Sequence, residues 1–314
     1  MFSGFIQRPV LWASAGLALF ILLAHTPLRF ISGTLISIPQ GASFGTVAET
    51  LEEKNIITSS TLLRACMVLF GGAEHVKAGD YLFLQPQGSC AIARRLSKGE
   101  YALTSIRVTF PEGTSIAGMA RILVAELPAF DGEEFKSIAS TSEGYLFPDT
   151  YFFLPNTTPE SVLSDLRQTF NDKTTNLLPA IALSDRTIED IVTMASLLEE
   201  EARTLEDKRI VAGILWKRID EGMALQVDAP FIYILGKSSH ELTGADLEFD
   251  SPYNTYLYRG LPPTSISNPG LESMMAALTP TDTAYWFYLS DSEGTMHYAE
   301  TFEGHKANKE KHFE

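Results

Sequence analysis

The first feature of the hydrophobic pattern is an uncharged apolar run, Val10 to Ala24 (VLWASAGLALFILLA), set behind Arg8 and Pro9. At about 1.5 Å per residue that run spans roughly 22 Å. Carried on to Ile31 it reaches about 33 Å, enough for a hydrocarbon core of about 30 Å. Trp12 suits the near interface, and His25, Pro27 and Arg29 suit the far one. The pattern predicts an uncleaved transmembrane anchor over 10–31, with 1–9 as a cytoplasmic N-terminus and the rest of the chain outside. A cleaved signal peptide has an apolar region of this length, but His, Thr, Pro and Leu follow Ala24 where a small-x-small site belongs.

Beyond the anchor, apolar alternation and helical spacing succeed each other. ISIPQGASFGTVAETL (36–51) parallels VTFPEGTSIAGMARIL (108–123), with a weaker echo in YLFLQPQGSCAIARRL (81–96). Each reads as a β-rich run, a turn and an amphipathic helix; in the first two Pro-x-Gly-x-Ser makes the turn. Ser43 and Ser115 are expected to cap the helices that follow. GTSIA is no nucleophile elbow, since its fifth position is Ala117. A polar break at Lys98-Gly99-Glu100 divides a small α/β unit, 33–102, from a larger one, 103–314. The fold class expected is α+β.

In the larger unit, Asp185 to about Leu205 has the spacing of a helix, with Ser184 or Asp185 as its cap. Ile188, Ile191, Val192, Met194, Ala195, Leu198, Ala202 and Leu205 fill one broad face at about 100° per residue. Glu200 falls opposite that face and is expected in solvent. Glu199 and Glu201 fall at its two edges, too divergent to form a dyad, and the wheel does not choose between them. A carboxyl half-buried by Leu, Met and Ala has its pKa raised by desolvation and becomes a usable proton donor near neutrality. The plain alternative is pairing with Arg203, Lys208 or Arg209. A second helix is expected over Asp207 to Glu221, closed by Gly222. Asp228, ahead of Ala229-Pro230, has the position of an N-cap. In SPYNTYLYRGLPPTSISNPG (251–270), Tyr256 and Tyr258 are expected on one strand face. Tyr253 and Asn254 near the turn offer an aromatic plane and an amide to a sugar ring.

Composition narrows the functions. A net charge of −15 in 314 residues leaves no basic face for nucleic acid or anionic lipid. It suits a neutral or zwitterionic substrate. The six histidines show no metal-ligand spacing, so no metal site is expected. Two cysteines make no disulfide framework, and Cys66, among Leu62, Leu63, Met67 and Leu69, is expected as a buried thiol.

Three blocks then resemble the endolytic murein transglycosylases of the YceG-like family. They are EGYLFPDTY (143–151), TMASLLEEEA with LWKRIDEGMALQVD (193–228), and SPYNTYLYRGLPP with ISNPGLESMMAAL (251–278). The resemblance covers nearly the whole exported chain and the anchor. It implies a LysM-like small unit, a lysozyme-like catalytic unit and cleavage of peptidoglycan glycan strands without a cofactor. The bond implied is the β-1,4 link between N-acetylmuramic acid and N-acetylglucosamine, left as a 1,6-anhydro end, with strand elongation terminated. It assigns the acid to Glu201, the second glutamate of the family's Glu-x-Glu, and a supporting role to Glu199. Many relatives carry Lys where this chain has Glu200. The family's Gln-x-Asp-Pro becomes Gln226-Val227-Asp228-Ala229-Pro230, and Tyr145 and Phe147 stand where relatives often have Trp. Glu143, Gln226, Asp228, Tyr253 and Asn254 are the candidates for holding glycan. The alternatives are a tethered peptidoglycan-binding module without catalysis, a hydrolase of the same bond using Asp228 or Glu143 on water, and a structural partner of cell-wall synthases.

Overall fold

The computed structural model describes residues 26–27, 29–69, 76–127, 130–237 and 241–313. The expected N-terminus 1–9 and nearly all of the anchor lie outside these residues. Among those described, no helix is long and apolar enough to cross a membrane. The fold is α+β: short two-stranded sheets among many helices. It divides into two compact units.

The first unit is drawn from the described residues up to Ile106, together with those of Val124–Phe130 and Phe152–Thr157. Strand β1 (Thr34–Ile38) pairs antiparallel with β2 (Gly79–Phe83), in a register running from Thr34 opposite Phe83 to Ile38 opposite Gly79. Helices α1 (Phe44–Glu53) and α2 (Ser60–Leu69) lie between the strands in sequence, and α3 (Ser89–Lys98) follows β2. Ser43 caps α1 as expected, accepting from the Thr46 N–H. The buried Phe44, Val47, Ala48 and Leu51 form the helical stripe that meets Ile36 and Ile38 of β1. Gly99 closes α3 at φ 70°, a left-handed conformation that glycine adopts without strain.

One expectation fails here. Cys66 is not a free thiol: it is disulfide-bonded to Cys90, with the Cα atoms 4.9 Å apart. Cys66 lies on the buried side of α2 and Cys90 in the first turn of α3, and packing these helices together brings the sulfurs within bonding reach. Spacing in the sequence does not carry that information.

Strand β3 (Ile106–Thr109) pairs with β4 (Thr150–Phe153). The second unit is drawn from Arg107–Leu123, Asp131–Tyr151 and Thr158–Glu314. Its helices are α4 (Ile116–Glu126), whose last three residues lie outside the unit, α5 (Gly132–Ala139), α6 (Pro159–Thr174), α7 (Leu178–Ile181) and α8 (Ile188–Glu201). They continue with α9 (Leu205–Asp220), α10 (Ala229–Leu235), α11 (Gly244–Leu247), α12 (Leu271–Leu278) and α13 (Phe302–Phe313). An antiparallel hairpin, β5 (Phe287–Ser290) and β6 (Met296–Ala299), precedes α13.

Helix α8 is the centre of this unit, with α9 and α12 packed on it. It starts three residues later than the apolar pattern predicts. Thr187 and Asp190 form a reciprocal capping box, which satisfies the first N–H groups better than Ser184 or Asp185 would. Every residue from Ile191 to Leu198 is buried, Thr193 and Ser196 included. Ser196 is satisfied within the core, donating to the Thr193 carbonyl and accepting from the Ile266 N–H. After Glu201 the backbone turns extended at Ala202, and Thr204 caps α9, so Leu205 belongs to the second helix.

The expected strand over Tyr256 and Tyr258 is absent; residues 252–258 are mostly turn. The fully buried Asn254 causes this. Its amide donates to the Leu247 and Phe249 carbonyls, and its carbonyl accepts from the Tyr256 and Leu257 N–H groups. That local ring of hydrogen bonds outcompetes a ladder. Asn268 does the same across long sequence distances. Its carbonyl accepts from Gly144 and Leu146 N–H, and its amide donates to the Thr114 carbonyl and the Glu143 carboxylate.

Candidate active site

The end of α8, the segment leading into α10 and the β5–β6 hairpin enclose a cleft of about 1090 Å³ within the second unit. Glu199, Glu200, Glu201, Arg218, Gln226, Asp228, Tyr256 and Tyr288 are among its lining residues. The three consecutive glutamates therefore reach one cleft but have three different environments.

Glu199 is held from every side. One oxygen lies 2.8 Å from Lys208 Nζ, and the other accepts from the Gly270 N–H and the Ser273 hydroxyl at 2.9 and 2.7 Å. Both side chains of the ion pair are under 10% exposed, at 8% and 4%. Three contacts of Glu199 tie α8 to α9 and to the start of α12, which is a structural role. Glu200 is exposed, as the helical wheel predicts.

Glu201 is half-buried and makes no ion pair among the described residues; Glu200, though exposed at the surface, also has its pKa raised, first by desolvation and then by Glu199. Burial raises the Glu201 pKa from the usual carboxylate range to about 7, and the negative charges of Asp228 and Glu200 push the same way. Two donors oppose the rise: the Tyr288 hydroxyl at 3.0 Å and the Ala229 N–H. Tyr288 has its own pKa pushed well above the ordinary tyrosine value by burial and by Glu201, so it stays a neutral donor. Arg218 lines the cleft but is no counter-ion at contact distance. Its guanidinium donates to the carbonyls of Trp286 and Leu225, and Glu201 makes no salt bridge among the described residues. The result is a carboxyl that is partly protonated near neutral pH and able both to give and to take a proton.

Of the other residues singled out in the sequence, Gln226 and Asp228 line this cleft. Gln226 has φ 51°, an uncommon conformation for a residue with a side chain. Asp228 stands at the N-cap position of α10 yet makes no capping hydrogen bond. Its carboxylate accepts from the Tyr256 hydroxyl at 2.6 Å instead. Glu143, Tyr253 and Asn254 are not among the lining residues. Glu143 is buried and accepts from the Ile116 N–H and the Asn268 amide, as part of the scaffold. Burial raises its pKa to about 7 too, so a raised pKa by itself does not mark the catalyst here. Tyr253 shares a hydroxyl contact of 2.7 Å with Thr264, and Tyr258 donates to Asp250.

Tyr288, Tyr256, Arg218, Asp291 and His305 are among the cleft residues that the sequence does not mark as site candidates. Only the alternating FYLS run hints at Tyr288, by placing it on a half-buried strand. The histidines, which have no metal-binding spacing in the sequence, do converge in one place: His297 and His312 meet Asp291, next to the cleft.

The profile of the YceG-like family matches residues 36–311. The chain is 30% identical over 304 residues to the endolytic murein transglycosylase of Bacillus subtilis (strain 168), covering 88% of this chain and 84% of that one. It is 26% identical over 321 residues to the endolytic murein transglycosylase of Streptococcus pneumoniae serotype 2 (strain D39 / NCTC 7466), covering 88% of this chain and 58% of that longer one. Its fold matches the 2.6 Å crystal structure of the yceG-like protein lmo1499 from Listeria monocytogenes at a TM-score of 0.59 and 27% identity, over 88% of this chain and all of that one.

Proposed function

Because the chain belongs to the YceG-like family, we propose that it is an endolytic murein transglycosylase with Glu201 as its single acid–base catalyst. The observation that carries the assignment is the Glu201 carboxyl, raised to about 7 by burial in a cleft and fixed by the Tyr288 hydroxyl. The substrate is the glycan strand of peptidoglycan. Protonated Glu201 gives its proton to the oxygen joining C1 of N-acetylmuramic acid to the next N-acetylglucosamine, and that C1–O bond breaks. The charge at C1 is oxocarbenium-like. Glu201, now an anion held by Tyr288, takes the proton of the muramic C6 hydroxyl as that oxygen bonds to C1. One C–O bond breaks, one forms, and no water is consumed. The attacking hydroxyl belongs to the same ring, so its effective concentration at C1 is high. The scheme needs no cofactor. Gln226 and Asp228, which line the cleft, would hold sugar hydroxyls.

The finer reading extends to the whole chain. Residues 10–31 anchor it in the plasma membrane, and the small unit, 33–102, acts as a LysM-like glycan-binding module ahead of a lysozyme-like catalytic unit. The Cys66–Cys90 disulfide supports an exported location, because such bonds persist in oxidising compartments. Cutting inside nascent strands would end their elongation, with cell-wall synthases as partners.

Asp228 in the same cleft favours one second reading, a hydrolase in which it activates water. Mass spectrometry of fragments released from purified sacculi separates the two, since hydrolysis leaves ends about 18 Da heavier than anhydro ends. Glu201→Gln should lower turnover by roughly 10³-fold or more, and Glu200→Gln should leave it nearly unchanged. Near-normal activity of Glu201→Gln would end the assignment, and a binding module without catalysis would release no fragments at all.

A further inference from the structure

We propose that Asp291, His297 and His312 form a binding site for a divalent cation of the zinc class, which clips the last turn of α13 to the β5–β6 hairpin. Each residue offers one ligand atom, and the three atoms lie within 4.8 Å of one another. One carboxylate and two imidazoles are a donor set that borderline first-row cations take, with an open position left for water.

The carboxylate is pre-oriented. Asp291 Oδ1 accepts from the N–H groups of Glu293 and Thr295 at 3.0 and 2.9 Å, which leaves Oδ2 aimed at His297 Nε2, 2.8 Å away. Outer hydrogen bonds of this kind orient ligands for a metal. An ordinary Asp–His pair needs one imidazole, however, and here there are two. The His312 ring stacks on His297 with centroids 3.6 Å apart and planes 23° apart. His312 makes no hydrogen bond among the described residues, so the pair alone gives no reason for it to be there. A tetrahedral centre with bonds of about 2.0–2.1 Å separates its ligand atoms by about 3.4 Å. His312 would first turn off the stack, since an imidazole lone pair lies in its ring plane and two stacked rings do not aim at one ion; the Asp–His distance would open slightly and the wider ones close.

The placement gives the cation a task. Helix α13 already lies on the hairpin through the Phe302–Phe287 ring contact and the Asn308 amide on the Tyr298 carbonyl. Those contacts leave its last turn to His312. Asp291 follows β5 directly, and β5 carries Tyr288, so a cation at this point would stiffen the strand that holds Glu201.

The test is calorimetric titration of the chelator-stripped full chain with Zn²⁺ alone. One site with Kd below about 100 µM is expected, weakened at least about tenfold in His312→Ala and in Asp291→Asn, and unchanged in His305→Ala. A zinc-dependent rise in Tm should be lost in the first two variants and kept in the third, which distinguishes a lost ligand from a lost fold. Binding weaker than about 100 µM, or equal in wild type and His312→Ala, would overturn the proposal.

Discussion

Replacing Tyr288 by phenylalanine removes one hydroxyl and almost no volume, and it isolates the group that opposes the rise of the Glu201 pKa. In the native cleft, burial sets that pKa at about 7 against the pull of the Tyr288 hydrogen bond. A hydrogen bond to a charged acceptor contributes roughly 1.5–3 kcal/mol. One pKa unit corresponds to about 1.4 kcal/mol, so losing the donor should lift Glu201 by about one to two units. The sign is fixed: Tyr288 stabilises the anion, and without it the proton is held more tightly. The same lost stabilisation falls on the carboxylate formed after proton donation, so the maximal rate should drop about ten- to a hundredfold. The assay is the initial rate of fragment release from purified sacculi, at low substrate, from about pH 5 to pH 10. The wild-type kcat/KM should fall as pH rises through about 7, where free Glu201 loses its proton, and the variant should fall one to two units higher. A limb that stays put or moves down would refute the claim that Tyr288 tunes Glu201.

Glu143, which does not line the Glu201 cleft, carries the same raised pKa, about 7 against an ordinary 4.5. Its native form holds the proton more tightly than the unfolded chain, so its contribution to stability is full below about pH 4.5 and is lost as pH rises to about 7. That loss amounts to about 3 kcal/mol, and Glu143→Gln should flatten this part of the pH dependence of the urea midpoint. Lys208→Met strands the buried Glu199 carboxylate and should destabilise the chain by about 3–5 kcal/mol in chemical denaturation, with Glu199→Gln added on top restoring part of it. Changing both Cys66 and Cys90 to alanine removes a link across 24 residues and should cost about 3 kcal/mol, with reducing agent reproducing the effect in the wild type and not in the variant.

How much of this was legible in the sequence depends on the range of the forces involved. The three strand–turn–helix starts were readable because Pro, Gly and Ser act on their immediate neighbours, and Ser43 caps α1 as its position implies. The burial of α8 is readable from spacing, but its start is not, because the reciprocal pair of Thr187 and Asp190 caps it where a single cap at Ser184 or Asp185 is expected. The strand expected at 256–258 failed for a local reason of another kind, a buried Asn254 that consumes the backbone groups a ladder needs. Glu201 was readable as one of two edge carboxylates, and only resemblance chose between them. What distinguishes them physically is long-range: Lys208 and Ser273 on one side, Tyr288 on the other. The disulfide and the Asp291–His297–His312 cluster were invisible for the same reason, since both depend on how helices pack.

The hydrogen bonds that build the site join distant parts of the chain. Tyr288 and Glu201 are 87 residues apart, Ser273 and Glu199 are 74, and the Asn268 bonds span 122 to 154. Contacts of such length form late, after the loops between them have closed. Until then Glu201 is an ordinary solvated carboxyl, ionised at neutral pH and useless as an acid. A chain only partly folded therefore lacks the raised carboxyl that the proposed reaction needs. The acid of the proposed reaction is thus a product of long-range folding, not of the local sequence around Glu201.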